Sequence, residues 1–249
     1  MTKPIEAVSP ERELRDRIIV ALDVETAWEA LEISNELEGR VGAFKIGLQL
    51  FTAAGPSIVR EFTDAGKKVF LDLKFHDIPN TVAKASVEAV KLGVWIFNVH
   101  AAGGSEMMRR AVNEVDEACA AGDLKRPLMI GVTVLTSSDN ETLNAIGIDG
   151  DSESQVVRLA RLAATAGLDG VVASPHEVKP VKNAISRHDF VVVTPGIRPT
   201  FATDDDQRRV TTLTEACALG SDYVVIGRPI TQAKDRLGAV DRLVRGVTA

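Results

Sequence analysis

The densest group of chemically useful side chains lies in residues 70–81, which read FLDLKFHDIPNT. An apolar stretch ends there in Asp72 and Lys74, and Asp77 follows in the turn before Pro79. If the stretch is a strand, alternation places Asp72 and Lys74 on one face. Carboxylates around an amine hold it as an ammonium ion, which can stabilise negative charge and donate a proton. The same residues could instead form a structural ion pair near a helix start, and spacing alone favours neither interpretation.

A candidate anion site lies in residues 223–230, YVVIGRPI, where a strand-like run leads through Gly227 and Arg228 into a helical pattern. Glycine allows the backbone to approach an anion, a helix N-terminus offers unpaired N–H groups, and arginine supplies a bidentate charge. These features favour phosphate binding. An ordinary strand-to-helix turn with a solvated arginine is the alternative.

A long polar segment runs from Pro195 to about Thr212 and contains Arg198, three consecutive aspartates and Gln207. Loops of this length are uncommon in compact domains unless they act as lids or binding loops. The segment is therefore either a loop that closes over a ligand or a plain surface loop, and its spacing does not decide between them.

The elements that must position these groups are short apolar segments alternating with helical patterns along the whole chain. This order predicts a parallel sheet covered by helices, and a count of eight strands favours a single (β/α)8 TIM barrel over an open doubly wound sheet. The predicted strands are Ile18–Asp23, Ala43–Gly47, Lys68–Lys74, Trp95–His100, Leu128–Val134, Gly170–Ala173, Phe190–Thr194 and Tyr223–Gly227. Helical spacing is clearest at Ala27–Leu37, Ala83–Leu92, Ser105–Ala121 and Gln155–Ala166.

Active sites of such barrels lie at the carboxyl ends of the strands. Polar residues of this chain are placed accordingly, which a barrel built only for stability would rarely show. They are Asp23 after the first strand, Lys45 in the second, Asp72 and Lys74 at the end of the third, His100 at the end of the fourth, Thr133 and Thr136 after the fifth, and Gly227 and Arg228 after the eighth.

Composition narrows the class of protein. The chain has 249 residues, of which 45% are hydrophobic, and a net charge of −6 that argues against nucleic-acid binding. We expect one domain over residues 1–249, with residues 1–17 as a polar extension rather than a signal peptide. No apolar run approaches the ~18–20 residues that cross a membrane. Cys119 and Cys217 lack metal-ligand spacing and are expected to be buried thiols of a cytoplasmic protein.

The ten residues from Asp72 to Thr81 closely resemble the signature of the orotidine 5′-phosphate decarboxylases, which make UMP in the last step of its synthesis. The resemblance runs from about Ile18 to Ile230 and keeps its motifs in order. The other matching motifs are Asp23 in ALDV, Lys45 in FKIG, the stretch VTVLTS at 132–137, PGIRP at 195–199, Gln207, and IGRP at 226–229.

This resemblance implies a homodimer that decarboxylates orotidine 5′-phosphate without a metal or cofactor. Lys74 would protonate C6 of the pyrimidine, and Asp72 would lie near the departing carboxylate. Asp77 and Thr81 would reach into the neighbouring subunit's site. The resemblance assigns the remaining contacts as Asp23 and Lys45 to the ribose, Thr136 or Ser137 to the pyrimidine, and Pro195, Arg198, Gln207, Gly227 and Arg228 to the phosphate.

Two alternatives remain at this point. Magnesium-dependent sugar-phosphate decarboxylases and aldolases share the Asp-x-Lys-x-x-Asp spacing, but they do not share the surrounding residues of the signature. A catalytically silent nucleotide-binding barrel would be expected to have lost a charge among Lys45, Asp72, Lys74 and Asp77, and all four are present. The four histidines have no ligand spacing and are expected to be structural.

Overall fold

The computed structural model describes residues 10–197 and 211–246. Its strands form one closed barrel in which each strand pairs in parallel with the next, and the last pairs with the first. The predicted (β/α)8 TIM barrel is therefore confirmed. The strands are β1 (Ile18–Ala21), β2 (Ala43–Gly47), β3 (Val69–Phe75), β4 (Ile96–His100), β5 (Leu128–Val132), β6 (Gly170–Val172), β7 (Val191–Pro195) and β8 (Tyr223–Ile226).

Helices follow the strands and cover the outside of the barrel. Side-chain oxygens cap several of them; Thr26, for example, accepts a hydrogen bond from the Glu29 N–H at the start of the first helix after β1. The α-helices of the described residues are α1 (Pro10–Asp16), α2 (Ala27–Glu36), α3 (Leu48–Ala54), α4 (Ser57–Asp64), α5 (Pro79–Lys91), α6 (Gly104–Gly122), α7 (Asn140–Ala145), α8 (Ser152–Thr165), α9 (Val178–Ala184), α10 (Leu213–Leu219), α11 (Arg228–Thr231) and α12 (Arg236–Arg245).

Strand side chains alternate between two hydrophobic layers. The outer layer lies between strands and helices and includes Ile18, Val20 and Leu22. The inner layer fills the barrel, as the fold requires. Its buried members are Ile19, Ala21, Ala43, Phe70, Ile96, Ile130, Val193 and Val225. The side chains two residues further along each strand form the next layer of the interior, towards the carboxyl ends.

Two strands end two residues earlier than predicted. We expected β1 to reach Asp23, but it ends at Ala21, and the Leu22 N–H makes one further bond to the Lys45 carbonyl. The Asp23 carboxylate is then free to turn towards the Lys45 side chain. Similarly, β5 ends at Val132 instead of Val134, so the residues after it lie in a loop.

Part of the predicted N-terminal extension is helical. Helix α1 has no buried residue, and it contacts α12 through an ion pair of 2.7 Å between Arg15 Nη2 and Asp241 Oδ1. Arg40 joins the same carboxylate. The contact attaches this helix beside the final helix of the barrel. Among the described residues, no helix is both long and apolar enough to cross a membrane.

Candidate active site

Four charged side chains meet at the carboxyl end of the barrel. Lys74 Nζ lies 2.6 Å from Asp72 Oδ1, and Lys45 Nζ lies 3.4 Å from Asp72 Oδ2. Lys45 Nζ also lies 2.9 Å from Asp23 Oδ1. Lys45 and Asp72 are buried, whereas the Asp23 side chain is exposed. Each oxygen of Asp72 therefore faces its own ammonium group, and Asp23, Lys45, Asp72 and Lys74 form one charge cluster at the strand ends.

The cluster follows from the alternation of the strands. Ala21, Ala43 and Phe70 belong to the inner layer, and the residues two positions later are Asp23, Lys45 and Asp72. The pairings Ala21–Lys45 and Gly47–Asp72 set these side chains at neighbouring heights of the barrel. The fold thus concentrates polar groups at one end of an otherwise apolar interior.

Opposing effects set the pKa of Asp72. Burial alone would raise it, because desolvation disfavours a carboxylate. The positive charges of Lys45 and Lys74, with hydrogen bonds from Lys74 and Asn98, outweigh burial, so the pKa lies below its ordinary value of 3.8. Asp72 is therefore a carboxylate at neutral pH, and its negative charge faces the amines of both neighbouring lysines.

The lowered pKa of Asp72 predicts a pH-dependent contribution to stability. Since the folded-state pKa lies below the ordinary value of 3.8, the unfolded chain takes up the proton first as the pH falls. The contribution should be complete above pH 3.8 and decline as the pH drops through the folded-state pKa. Urea unfolding of the wild type and Asp72→Asn across this range should show their stability difference shrinking towards acid. A difference independent of pH would contradict this assignment.

The backbone at Lys74 departs from a regular strand. Strand β3 pairs with β4 at Leu71–Phe97 and next at Phe75–Val99, so three residues of β3 stand opposite one of β4. Lys74 within this irregular stretch has a φ of 52°, a left-handed conformation that is uncommon for lysine. Simple alternation predicted that Asp72 and Lys74 would share a face. Their 2.6 Å contact agrees, but the backbone reaches it through a bulge.

Asn98 belongs to the same site, and sequence reasoning missed it. The residue is 1% exposed in the middle of β4. Its Oδ1 accepts a hydrogen bond of 2.8 Å from the Lys74 backbone N–H, and its Nδ2 donates one of 2.7 Å to Asp72 Oδ1. The available signal was its position two residues after the inner-layer residue Ile96, which is the spacing of Asp72 after Phe70.

The structure does not bring Asp77 and Thr81 to the charge cluster of the same chain. Both are exposed at the start of α5, and Asp77 Oδ1 accepts a hydrogen bond of 2.7 Å from the Ile78 N–H. Among the described residues, no ion pair joins Asp77 to Lys45 or Lys74. The Ile78 side chain beside them is 67% exposed, so this turn presents both polar and apolar groups to the exterior.

The candidate phosphate residues that the structure describes lie at the same end of the barrel. Gly227 follows β8, whose residue Ile226 pairs with Val20 of β1, and Arg228 begins α11 and is exposed. Pro195 ends β7. The two other predicted phosphate contacts, Arg198 and Gln207, lie outside the described residues, as does most of the predicted lid.

The predicted pyrimidine contacts lie in the loop after β5. Thr136 and Ser137 are exposed, and the Ser138 N–H closes a turn onto the Leu135 carbonyl at 2.8 Å. The buried Thr133 is not available in the same way, because its hydroxyl donates to the Val172 carbonyl at 2.8 Å. The loop therefore presents hydroxyl groups at the rim of the barrel.

Two of the histidines lie close together, and both cysteines are free thiols. The rings of His76 and His100 lie 5.3 Å apart, and burial, with the charges of His76 and Lys74, lowers the pKa of His100. Cys119 is buried and Cys217 is half-buried, and burial raises the pKa of both free thiols. Among residues 10–197 and 211–246, no three or more His, Cys, Asp or Glu side chains group as metal ligands.

The chain is similar to known proteins over most of its length. The family model described as "Orotidine 5'-phosphate decarboxylase / HUMPS family" matches residues 16–243. The chain belongs to this family. A protein of Syntrophotalea carbinolica named orotidine 5′-phosphate decarboxylase is 55% identical over 237 residues, covering 95% of this chain and 97% of that protein. One of the same name from Geobacter sulfurreducens is 51% identical, covering 94% and 97%.

Solved structures of similar proteins share the fold. The crystal structure of orotidine 5′-phosphate decarboxylase from Lactobacillus acidophilus superposes with a TM-score of 0.80 at 37% identity, covering 93% of this chain and 99% of that one. An uncharacterized conserved protein from Geobacillus kaustophilus superposes equally well, with a TM-score of 0.80 at 38% identity and coverage of 92% and 99%. The resemblance found in the sequence motifs is thus confirmed over nearly the whole chain.

Proposed function

We propose that this chain decarboxylates orotidine 5′-phosphate to UMP, the last step of de novo pyrimidine synthesis. The observation that carries the proposal is the cluster of Lys45, Asp72 and Lys74 inside the carboxyl end of a barrel of this family. A buried carboxylate between two ammonium groups supplies fixed charges at a site where a carbanion must be stabilised.

The chemistry requires stabilisation of charge and one proton. The bond between C6 and the carboxylate carbon breaks, its electron pair stays on C6, and carbon dioxide leaves. Lys74 then gives a proton to C6 and recovers one from water. Asp72 supports this step because its carboxylate, 2.6 Å from Lys74 Nζ, holds the amine in position until the carbanion forms.

The remaining groups would hold the substrate around this centre. Gly227 and Arg228 would bind the phosphate together with Pro195, and Arg198 and Gln207 would act in the same way if the predicted lid closes. Lys45 and Asp23 would meet the ribose, and Thr136 or Ser137 the pyrimidine. Phosphate binding far from C6 would then supply energy that organises the reacting centre.

The location of Asp77 supports a homodimer with shared sites. Asp77 and Thr81 are exposed beside Ile78, which is 67% exposed, and Leu48, at the carboxyl end of β2, is 57% exposed. An apolar and acidic rim of this kind fits against a second copy of the same barrel end. Asp77 would then approach Lys74 of the other subunit and Thr81 would contact its ribose.

The same proposal places the protein in the cytoplasm. Both cysteines are free, and a chain that keeps its thiols reduced is typical of a reducing compartment. The substrate and the product are small anionic nucleotides. Nucleic acid is not an expected partner because the net charge of the chain is −6.

Removing Arg228 should weaken substrate binding more than it slows chemistry. Arg228→Ala would lose a charge-assisted contact with the phosphate, so we expect KM to rise by about 10–100-fold. The control is Arg245→Ala, which removes an exposed arginine of α12 and should leave KM unchanged. Nε of this arginine lies 3.9 Å from Glu11 Oε1. Steady-state kinetics of both variants checks this, and an unchanged KM for Arg228→Ala would show that the phosphate binds elsewhere.

Chelation distinguishes this proposal from the magnesium-dependent alternative. The ultraviolet absorbance of orotidine 5′-phosphate should change to that of UMP at the same rate with and without EDTA, because the proposed reaction uses no metal ion. The assay needs only the purified chain. Loss of the reaction in EDTA, with recovery on adding magnesium, would favour the sugar-phosphate type of site, and no reaction at all would favour a silent binder.

A further inference from the structure

Strand β4 contributes an uncharged side chain to the site, and its role in the reaction differs from that of the charged residues. Asn98 is the buried amide of this strand, and it touches β3 at two points. From these contacts we propose that Asn98 is a positioning residue that fixes both the Asp72 carboxylate and the left-handed backbone of Lys74. The expected loss of turnover rests on the proposed function, whereas the positioning of Asp72 and Lys74 by the two hydrogen bonds does not.

The chemistry of the contacts fixes the orientation of the amide. A backbone N–H can only donate, so Asn98 Oδ1 must face Lys74 N, which lies 2.8 Å away. The ionised Asp72 can only accept, so Asn98 Nδ2 must face its Oδ1, which lies 2.7 Å away. An apolar residue of the same size could make neither bond, and an aspartate could make only the first.

The bond to the Lys74 N–H replaces a missing strand contact. Between the pairs Leu71–Phe97 and Phe75–Val99, the two strands are out of register, and Lys74 has a φ of 52°. A left-handed lysine persists only where its surroundings hold it. The Asn98 side chain does so from the opposite strand. Without it, Lys74 would leave a partly buried N–H unpaired or return towards an extended conformation.

The bond to Asp72 gives the carboxylate a third partner beside the two lysines. Oδ1 receives Lys74 Nζ at 2.6 Å and Asn98 Nδ2 at 2.7 Å, while Oδ2 faces Lys45 Nζ at 3.4 Å. Three strands thus hold one carboxylate from three directions. The amide determines the rotation of the carboxylate, and thereby the direction in which it holds the Lys74 ammonium group.

The test compares three substitutions in the full-length protein. Asn98→Leu removes both bonds while keeping the branching and the number of heavy atoms of the side chain, and Asn98→Asp keeps the acceptor for the Lys74 N–H while placing a second carboxylate against Asp72. Ser221→Ala is the matched control, because it deletes a buried hydroxyl, located before the start of β8, that bonds Thr194 at 2.7 Å. Urea unfolding of all three, beside the wild type, shows how much each loses in stability alone.

A positioning role predicts a specific kinetic pattern. Asn98→Leu should lower kcat by about 100-fold, the effect of displacing a reacting group by about 1 Å, while the affinity for UMP stays within about threefold. Asn98→Asp should also lose turnover, because the two carboxylates repel. Ser221→Ala should keep the wild-type kcat. Near-normal kcat in Asn98→Leu, or equal losses in Asn98→Leu and Ser221→Ala, would overturn the proposal.

A second readout does not depend on activity. The Asp72 carboxyl carbon can be titrated by 13C NMR in the wild type and in Asn98→Leu. The groups that face it are Lys45 from β2, Lys74 from β3, and Asn98 and His100 from β4, with Asp23 beyond Lys45. Losing the amide donor should raise the pKa of Asp72. An unchanged titration would reject the bond to Asp72, even if the wild type proved to have another activity. A wild type that is inactive on orotidine 5′-phosphate would reject only the proposed function.

Discussion

Lys74→Ala is expected to lower kcat by at least about 10,000-fold, because it removes both the proton donor and the positive charge nearest the developing carbanion. The fold should survive, since Asp72 keeps its contacts with Lys45 and Asn98. Alanine also replaces lysine at a φ of 52° without new steric conflict of the backbone. Rapid-quench kinetics with orotidine 5′-phosphate and equilibrium binding of UMP measure the two effects separately.

The affinity for UMP should distinguish loss of the proton donor from general damage to the fold. UMP affinity depends mainly on the phosphate and ribose contacts in the proposed site, so it should change little in Lys74→Ala. The control is Lys91→Ala, which removes an exposed lysine at the end of α5 that pairs with Glu88 at 2.7 Å. It should retain full activity. A Lys74→Ala enzyme with kcat within about tenfold of wild type would remove Lys74 from the mechanism.

Mixing two inactive variants is expected to restore activity if the sites are shared between subunits. Asp77→Ala alone should lower activity by at least about 100-fold, because a fixed charge beside the reacting amine is lost. In a hybrid dimer of Lys74→Ala with Asp77→Ala, one site carries both defects and the other carries neither. Random exchange of equal amounts should therefore recover about a quarter of wild-type activity.

The control for this experiment combines two substitutions at residues that contribute to a site from the same chain. Asp72 and Lys74 contact each other within one chain at 2.6 Å. A hybrid of Lys74→Ala with Asp72→Asn therefore has one defect in each site and should remain inactive. Recovery in both mixtures, or in neither, would contradict the sharing of Asp77, and size measurements on the same samples would establish whether dimers were present.

The positions of the charged residues were predictable because the barrel leaves few choices. Residues 72 and 74 follow an apolar strand, and the carboxyl ends of parallel strands meet at one edge. Lys45 and Asp23 follow inner-layer residues with the same spacing of two. Local sequence therefore specified both the strand and the face, and the closed barrel brought these faces together.

Other parts of the site depended on contacts between distant strands. The left-handed conformation of Lys74 has no local cause, because lysine disfavours it, and it exists where β3 and β4 lose register. Asn98 is a single amide in an apolar strand, and only the structure shows that its two bonds meet Asp72 and Lys74. Short helices such as α3 and α7 were also missed, since six or seven residues carry little periodicity.

The most direct measurement is the 1H NMR spectrum of orotidine 5′-phosphate incubated with the purified chain in D2O. We predict that UMP forms with deuterium at C6, so that its H5 signal appears as an uncoupled singlet, and that Lys74→Ala leaves the substrate signals unchanged over the same period. Substrate that persists with the wild type, or a product other than UMP, would contradict the assignment of this site as an orotidine 5′-phosphate decarboxylase.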